Sequence, residues 1–104
     1  MTSPLPAADP RPSGYEFSCP EGEWIGCLDV KQWGRSKNLN LYFTNESAFG
    51  RYWFSVFWRE DYRARDGQIA FRDEEPGTRY RMTTRINPEG KPVFLGATRL
   101  APAP

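Results

Sequence analysis

The sequence predicts a small all-β domain: a five-stranded antiparallel barrel with an irregular insert between strands three and four. Three observations carry the β-barrel part of that expectation. Apolar and polar residues alternate with period two through several segments. Turn-forming residues punctuate those segments, and no amphipathic helical stretch of useful length interrupts them. A five-stranded sheet this small leaves unpaired edges unless it closes on itself, which a barrel achieves.

The chain of 104 residues is long enough for one domain and not for two. Residues 1–22 read as a flexible N-terminal segment. They open with "MTSPLPAADPRPSG", which is rich in Pro, Ala and Ser and has little to bury. Residues 23–100 form the barrel, and 101–104 ("APAP") form a flexible tail. The first strand is "EWIGCLDVKQW" (23–33), long and bent at Gly26, followed by a polar turn, "GRSK" (34–37). "NLNLYFTN" (38–45) alternates cleanly, with Leu39, Leu41 and Phe43 on one face and Asn40, Tyr42 and Thr44 on the other. "ESAFG" (46–50) is a loop, and "RYWFSVFWR" (51–59) is the third strand, rich in residues that strands favour.

Residues 60–77 are irregular. Asp66-Gly67 is a tight-turn pair that suggests a small hairpin, with a short helix at 60–65 as the alternative. "TRYRMTTRI" (78–86) then sets Tyr80, Met82, Thr84 and Ile86 against Arg79, Arg81, Thr83 and Arg85. "NPEGKP" (87–92) is a loop, and "VFLGATRL" (93–100) is the last strand.

The formal net charge is only +1, but residues 23–100 hold 13 Lys or Arg against 10 Asp or Glu, with Arg dominating. Arginine supplies a planar fork that suits phosphate and stacks on flat rings. There are two cysteines, Cys19 and Cys27, and no histidine. Two thiols alone do not make a structural zinc site, and reduced thiols are expected in the absence of an export signal. No cofactor or metal is expected. An enzyme is not expected either, because no histidine base, Gly-x-Ser-x-Gly elbow or phosphate loop is present. The start lacks the basic and apolar regions of a secretory signal, and no apolar run is long enough to span a bilayer. A cytoplasmic protein is expected, nucleoid-associated if it binds DNA.

The order of elements resembles an OB-fold. A long strand carrying "WIG" precedes a second strand of "LNLYF" type, a third strand and an insert. "EEPGTRYRM" introduces the fourth strand and "GKPVFLGATRL" closes the barrel. The "PG-x-x-Y" start of strand four, followed by "G-x-x-x-x-x-x-A-x-x-L", is similar to the ends of many nucleic-acid-binding OB domains. The resemblance covers roughly residues 23–100 and names no narrower family. It implies a site on strands two and three, edged by the first and last hairpin loops. That site would take Asn40, Tyr42 and Thr44 from strand two, Trp33, Arg35 and Lys37 from the first loop, and Lys91 from the last.

The stretch "GRYWFSVFW" (50–58) places aromatics on both parities of the third strand. Only the odd set, Arg51, Trp53, Ser55, Phe57 and Arg59, contains charges and a serine. The even set, Tyr52, Phe54, Val56 and Trp58, is therefore expected in the core, leaving Trp53 and Phe57 on the open face with Tyr42 beside them. Bases stack on such aromatic platforms while basic side chains follow the phosphates. The expected function is binding of single-stranded DNA, or RNA, with little sequence preference. Trp33, Tyr42, Trp53 and Phe57 would stack bases, and Arg35, Lys37, Arg51, Arg81, Arg85 and Lys91 would neutralise phosphates. The rival is that the insert 60–77, an identical subunit in a homodimer or another protein partner covers the same aromatic face. Oligosaccharide binding is a weaker third option.

Overall fold

A computed structural model describes residues 12–34, 38–57 and 70–101. The six strands are β1 (Glu16–Phe17), β2 (Gly22–Trp33), β3 (Asn38–Asn45), β4 (Arg51–Phe57), β5 (Arg79–Ile86) and β6 (Pro92–Arg99). Among the described residues the helical element is one 3-10 turn, Phe71–Asp73. No helix is long and apolar enough to cross a membrane among them. The residues proposed as a hairpin or short helix at 60–65 and around Asp66-Gly67 lie outside the described residues, as does the tail from 102.

The strands form one mixed sheet in the order β1-β4-β3-β2-β5-β6. All neighbours are antiparallel except β1 and β4, which run parallel, with Glu16 opposite Tyr52 and Phe17 opposite Trp53. This corrects the expectation of five antiparallel strands closed into a barrel. The fold is all-β, but the sheet is open, with β1 and β6 as its two ends. β1 takes the edge of β4 that closure would have given to β6, and it comes from within residues 1–22, the stretch whose composition reads as flexible.

Although open, the sheet curls around one core. Phe54 on β4 and Phe94 on β6 lie 6.3 Å apart, nearly parallel. The 3-10 turn inserts Phe71 between them and the opposite wall, 5.4 Å from Phe94, 5.9 Å from Phe43 and 5.2 Å from Tyr80. Leu39, Leu41 and Phe43 of β3 face this core, as do Phe54 and Val56 of β4 and Tyr80 and Met82 of β5. These are the alternating rows that the sequence assigns to the interior.

The stretch Ser18–Glu21 carries the chain from the β4 edge to the far end of β5. Cys19 is buried in the core and donates its Sγ–H to the Arg85 carbonyl at 3.3 Å. Buried Thr84 accepts the Trp24 indole N–H at 2.8 Å and donates its hydroxyl to the Pro20 carbonyl at 2.6 Å. Each polar group is thereby satisfied in a place where an unpaired one costs about 1–3 kcal/mol. Both cysteines are unbridged thiols, and burial pushes the Cys19 thiol pKa up.

β2 departs from a plain strand at Asp29, where the register against β3 skips between Leu28 and Val30. Trp24 and Leu28 face the core before this bulge. Beyond it the parity inverts, so Lys31 stands opposite core-facing Leu41, and Val30 stands opposite Tyr42. Lys31 then spans the mouth of the core and donates to the carbonyls of Phe71 (3.2 Å) and Arg72 (2.8 Å). Gly26, the residue expected to bend the strand, has a packing reason to be glycine: a Cβ there would lie 2.6 Å from the Trp24 ring.

Candidate nucleic-acid interface

Strand alternation sends Tyr42 and Trp53 to the outer face, opposite to Phe43 and Phe54. They are direct cross-strand partners, and their rings stack at 5.7 Å and 23°. This is the pairing that the sequence expects of a stacking platform. The surroundings differ from that expectation. Tyr42 is completely buried, because the N-terminal segment lies over it. Tyr15 meets the Tyr42 ring edge-on at 5.3 Å, and Phe17 lies against Trp53 at 4.7 Å. Tyr42 therefore presents no open face to a base. The exposed part of the cluster is Phe17, 48 % exposed, with half-buried Trp53 beneath it.

A polar pin holds this cover. Tyr15 donates its hydroxyl to Asp29 Oδ2 at 2.9 Å, and Thr44 donates to the same oxygen at 2.5 Å. Asp29 is the residue that the β2 bulge sets on this face. Burial and the bond to Asp29 both raise the Tyr15 phenol pKa. Arg51 is exposed and stands over the Tyr15 ring at 5.7 Å. Cys27, neighbouring Thr44 across the strands, has its thiol pKa raised by burial first and then by the charges of Asp29 and Glu46. A raised pKa makes it a poor nucleophile near neutral pH. Below the aromatics, Asn38 donates to Asn40 Oδ1 (2.9 Å) and Ser55 Oγ (3.1 Å), and Tyr42 donates to Gln32 Oε1 (3.1 Å).

The remaining expected site residues do not gather here. Trp33 is 54 % exposed at the end of β2, opposite core-facing Leu39, so it sits on the other strand parity from Trp53. Arg81 and Arg85 are exposed on β5, which β2 and β3 separate from β4. Lys91 belongs to the β5–β6 turn, where its backbone N–H bonds Asn87 Oδ1 at 2.8 Å. That turn lies at the Gly22 end of β2, the end opposite Trp33. Arg35, Lys37, Trp58 and Arg59 lie outside the described residues; so does the Phe57 side chain, although its backbone pairs with Asn38.

Two residues of this face, and one in the adjoining turn, escaped the sequence reading. Tyr15 and Phe17 sit in a segment with a disordered composition, and "GYEF" is too short to announce a strand. Phe49 is 99 % exposed in the β3–β4 turn, and its only signal is an apolar residue in an otherwise small and polar loop.

Among the described residues, no three His, Cys, Asp or Glu side chains cluster as metal ligands. No protein-family model, curated protein or solved structure matches the chain.

Proposed function

We propose that this domain is an OB-like module that binds single-stranded nucleic acid across the outer face of β4, without catalysing a reaction. The observation that carries the reading is the Phe17–Trp53 contact beside exposed Arg51. Two partly exposed rings and a guanidinium occupy one sheet face, while a separate set of rings fills the core. Aromatic surface of this kind stacks bases of any sequence, and Arg contributes both charge and a planar partner. Tyr42 supports the platform from beneath. Asp29, the acid on this face, is engaged by two hydroxyl donors.

The OB-like reading is also supported by the order of the five long strands. The longest, β2, lies at the centre, and β4 and β6 curl toward each other through Phe54 and Phe94. A partly open barrel of five strands is the architecture whose second and third strands carry oligonucleotide sites. With DNA as ligand, the place of action is the nucleoid.

The test is fluorescence anisotropy of a labelled oligo-dT at low salt and across a salt series. Binding should weaken steeply as salt rises, because phosphate contacts release counterions. Trp53→Ala should weaken it by roughly 5-fold or more, in line with about 1–3 kcal/mol per stacked base. Absence of binding to any single strand at low salt would remove the reading. A change in oligomer mass on Trp53→Ala, without oligonucleotide binding, would assign the face to a homodimer instead.

A further inference from the structure

The β3–β4 turn holds an aromatic side chain almost entirely in water on a backbone that is pinned from several directions. Phe49 is 99 % exposed. Around it, Asn45 Oδ1 accepts the backbone N–H groups of Ser47 (2.8 Å) and Ala48 (3.2 Å). The Asn45 N–H closes the turn on the Gly50 carbonyl at 2.9 Å. The turn is also fastened to β2: Ile25 N–H donates to Ser47 Oγ at 2.8 Å, and Glu46 N–H donates to the Ile25 carbonyl at 2.7 Å. Arg79 Nε holds Glu46 Oε1 at 2.7 Å. Gly50, at φ 132°, has a backbone conformation that L side chains rarely adopt, and a Cβ there would lie 2.5 Å from the Tyr52 hydroxyl. An exposed ring on a fixed backbone loses little entropy when a flat partner stacks on it.

Two exposed arginines lie on the strands around this turn. Arg51 follows Phe49 by two residues, so their Cα atoms are at most about 7 Å apart, and Trp53 is within about 14 Å of Phe49. On β2, Ile25 turns both backbone groups toward the turn and therefore meets Arg81 of β5 as a non-hydrogen-bonded pair, the geometry in which side chains approach most closely. Arg81 is exposed and forms no ion pair among the described residues. Arg79 is held by Glu46, and Asp29 and Glu23 balance the remaining charge on this side, so the positive charge available near the ring is that of the individual exposed guanidinium groups of Arg51 and Arg81 and not a net excess.

We propose that Phe49 is a second base-stacking residue, and that single-stranded nucleic acid runs from Phe17–Trp53 past Arg51 to Phe49, with Arg51 and Arg81 taking phosphates. This rests on the reading of β4 as a nucleic-acid face and extends it by one aromatic step and one phosphate ligand.

The experiment compares oligo-dT binding by wild type, Phe49→Ala, Phe49→Trp and Trp53→Ala at low salt, alongside thermal melting and sedimentation of each. Phe49→Ala should weaken binding about 5-fold or more and leave the melting temperature unchanged, because the ring packs on nothing. Phe49→Trp should retain the affinity and add an indole that the oligonucleotide quenches. Wild-type affinity in Phe49→Ala, with Trp53→Ala impaired, would overturn the role of Phe49 and leave the β4 reading standing. Failure of the wild type to bind would remove both. A wild-type dimer that dissociates on Phe49→Ala, without oligonucleotide binding, would assign the ring to a second copy of the chain and overturn the proposal.

Discussion

The two faces of β4 use the same residue types to different ends. On the inner face Phe54 stacks on Phe43 at 5.5 Å, and Phe71, Tyr80 and Phe94 enclose them from three other elements. On the outer face Trp53 stacks on Tyr42, and the cover is Phe17 from the two-residue strand β1 and Tyr15 just before it. Phe43, Phe54, Phe71 and Tyr80 are buried and Phe94 is partly so, whereas Phe17 keeps 48 % of its surface exposed. An aromatic side chain is thus a core residue or a contact residue according to what covers it, and strand parity alone does not decide which.

The largest effect should come from breaking the inner set. Phe43→Ala removes a ring that touches Trp24, Phe54, Phe71 and Tyr80. Such truncations cost about 3–5 kcal/mol, much of the stability of a small domain. Denaturant unfolding should therefore show a collapsed midpoint. If Phe43→Ala were as mild as Phe17→Ala, the contrast between the faces would fail.

A smaller effect is expected at the polar group beside the core. Buried Glu74 accepts the Tyr80 hydroxyl at 3.0 Å and Arg99 Nε at 2.8 Å, with a second ion-pair contact from Arg99 Nη2. The Arg99 bond, and then the Tyr80 bond, hold the Glu74 carboxyl below its usual pKa of 4.5 against the opposing effect of burial. A depressed carboxylate contributes stability that is complete above its unfolded pKa and is lost as pH falls through the folded one. The wild type should therefore lose stability below about pH 4.5. Glu74→Gln should flatten that acid limb and lower stability at neutral pH by about 1–3 kcal/mol. An unchanged acid limb in urea melts across pH would show that Glu74 does not couple folding to protons.

The smallest effect should come from the outer pin. Tyr15→Phe deletes the bond to Asp29 and keeps the ring, so the global midpoint should move by about 1 kcal/mol or less. Amide exchange of residues 15–17 should accelerate while that of 39–43 stays slow, because short edge elements open locally. Equal acceleration in both segments would mean that the outer cover is continuous with the core.

The sequence disclosed what period-two alternation can disclose. The interior rows Leu39-Leu41-Phe43, Phe54-Val56 and Tyr80-Met82 follow from it, and β3 falls on residues 38–45 as read. It did not disclose β1, because a two-residue strand gains its pairing and its apolar contacts from β4, not from its own composition. For the same reason Tyr42 was legible as an outward residue but not as a buried one. The Asp29 bulge carries no glycine to announce it, yet it re-aims Lys31 into the mouth of the core and sets Asp29 under Tyr15. The β4–β6 gap was unreadable too, since nothing local in "PVFLGATR" says which edge it will meet.

The central claim is that the outer face of β4 meets single-stranded nucleic acid, and intrinsic tryptophan fluorescence during titration with poly-dT tests it most directly. Trp24 is buried in the core, while Trp53 stands on the proposed contact face. The account predicts saturable quenching that salt reverses and that Trp53→Ala largely abolishes. Emission unchanged through the titration at low salt, in a protein that remains folded, would contradict it.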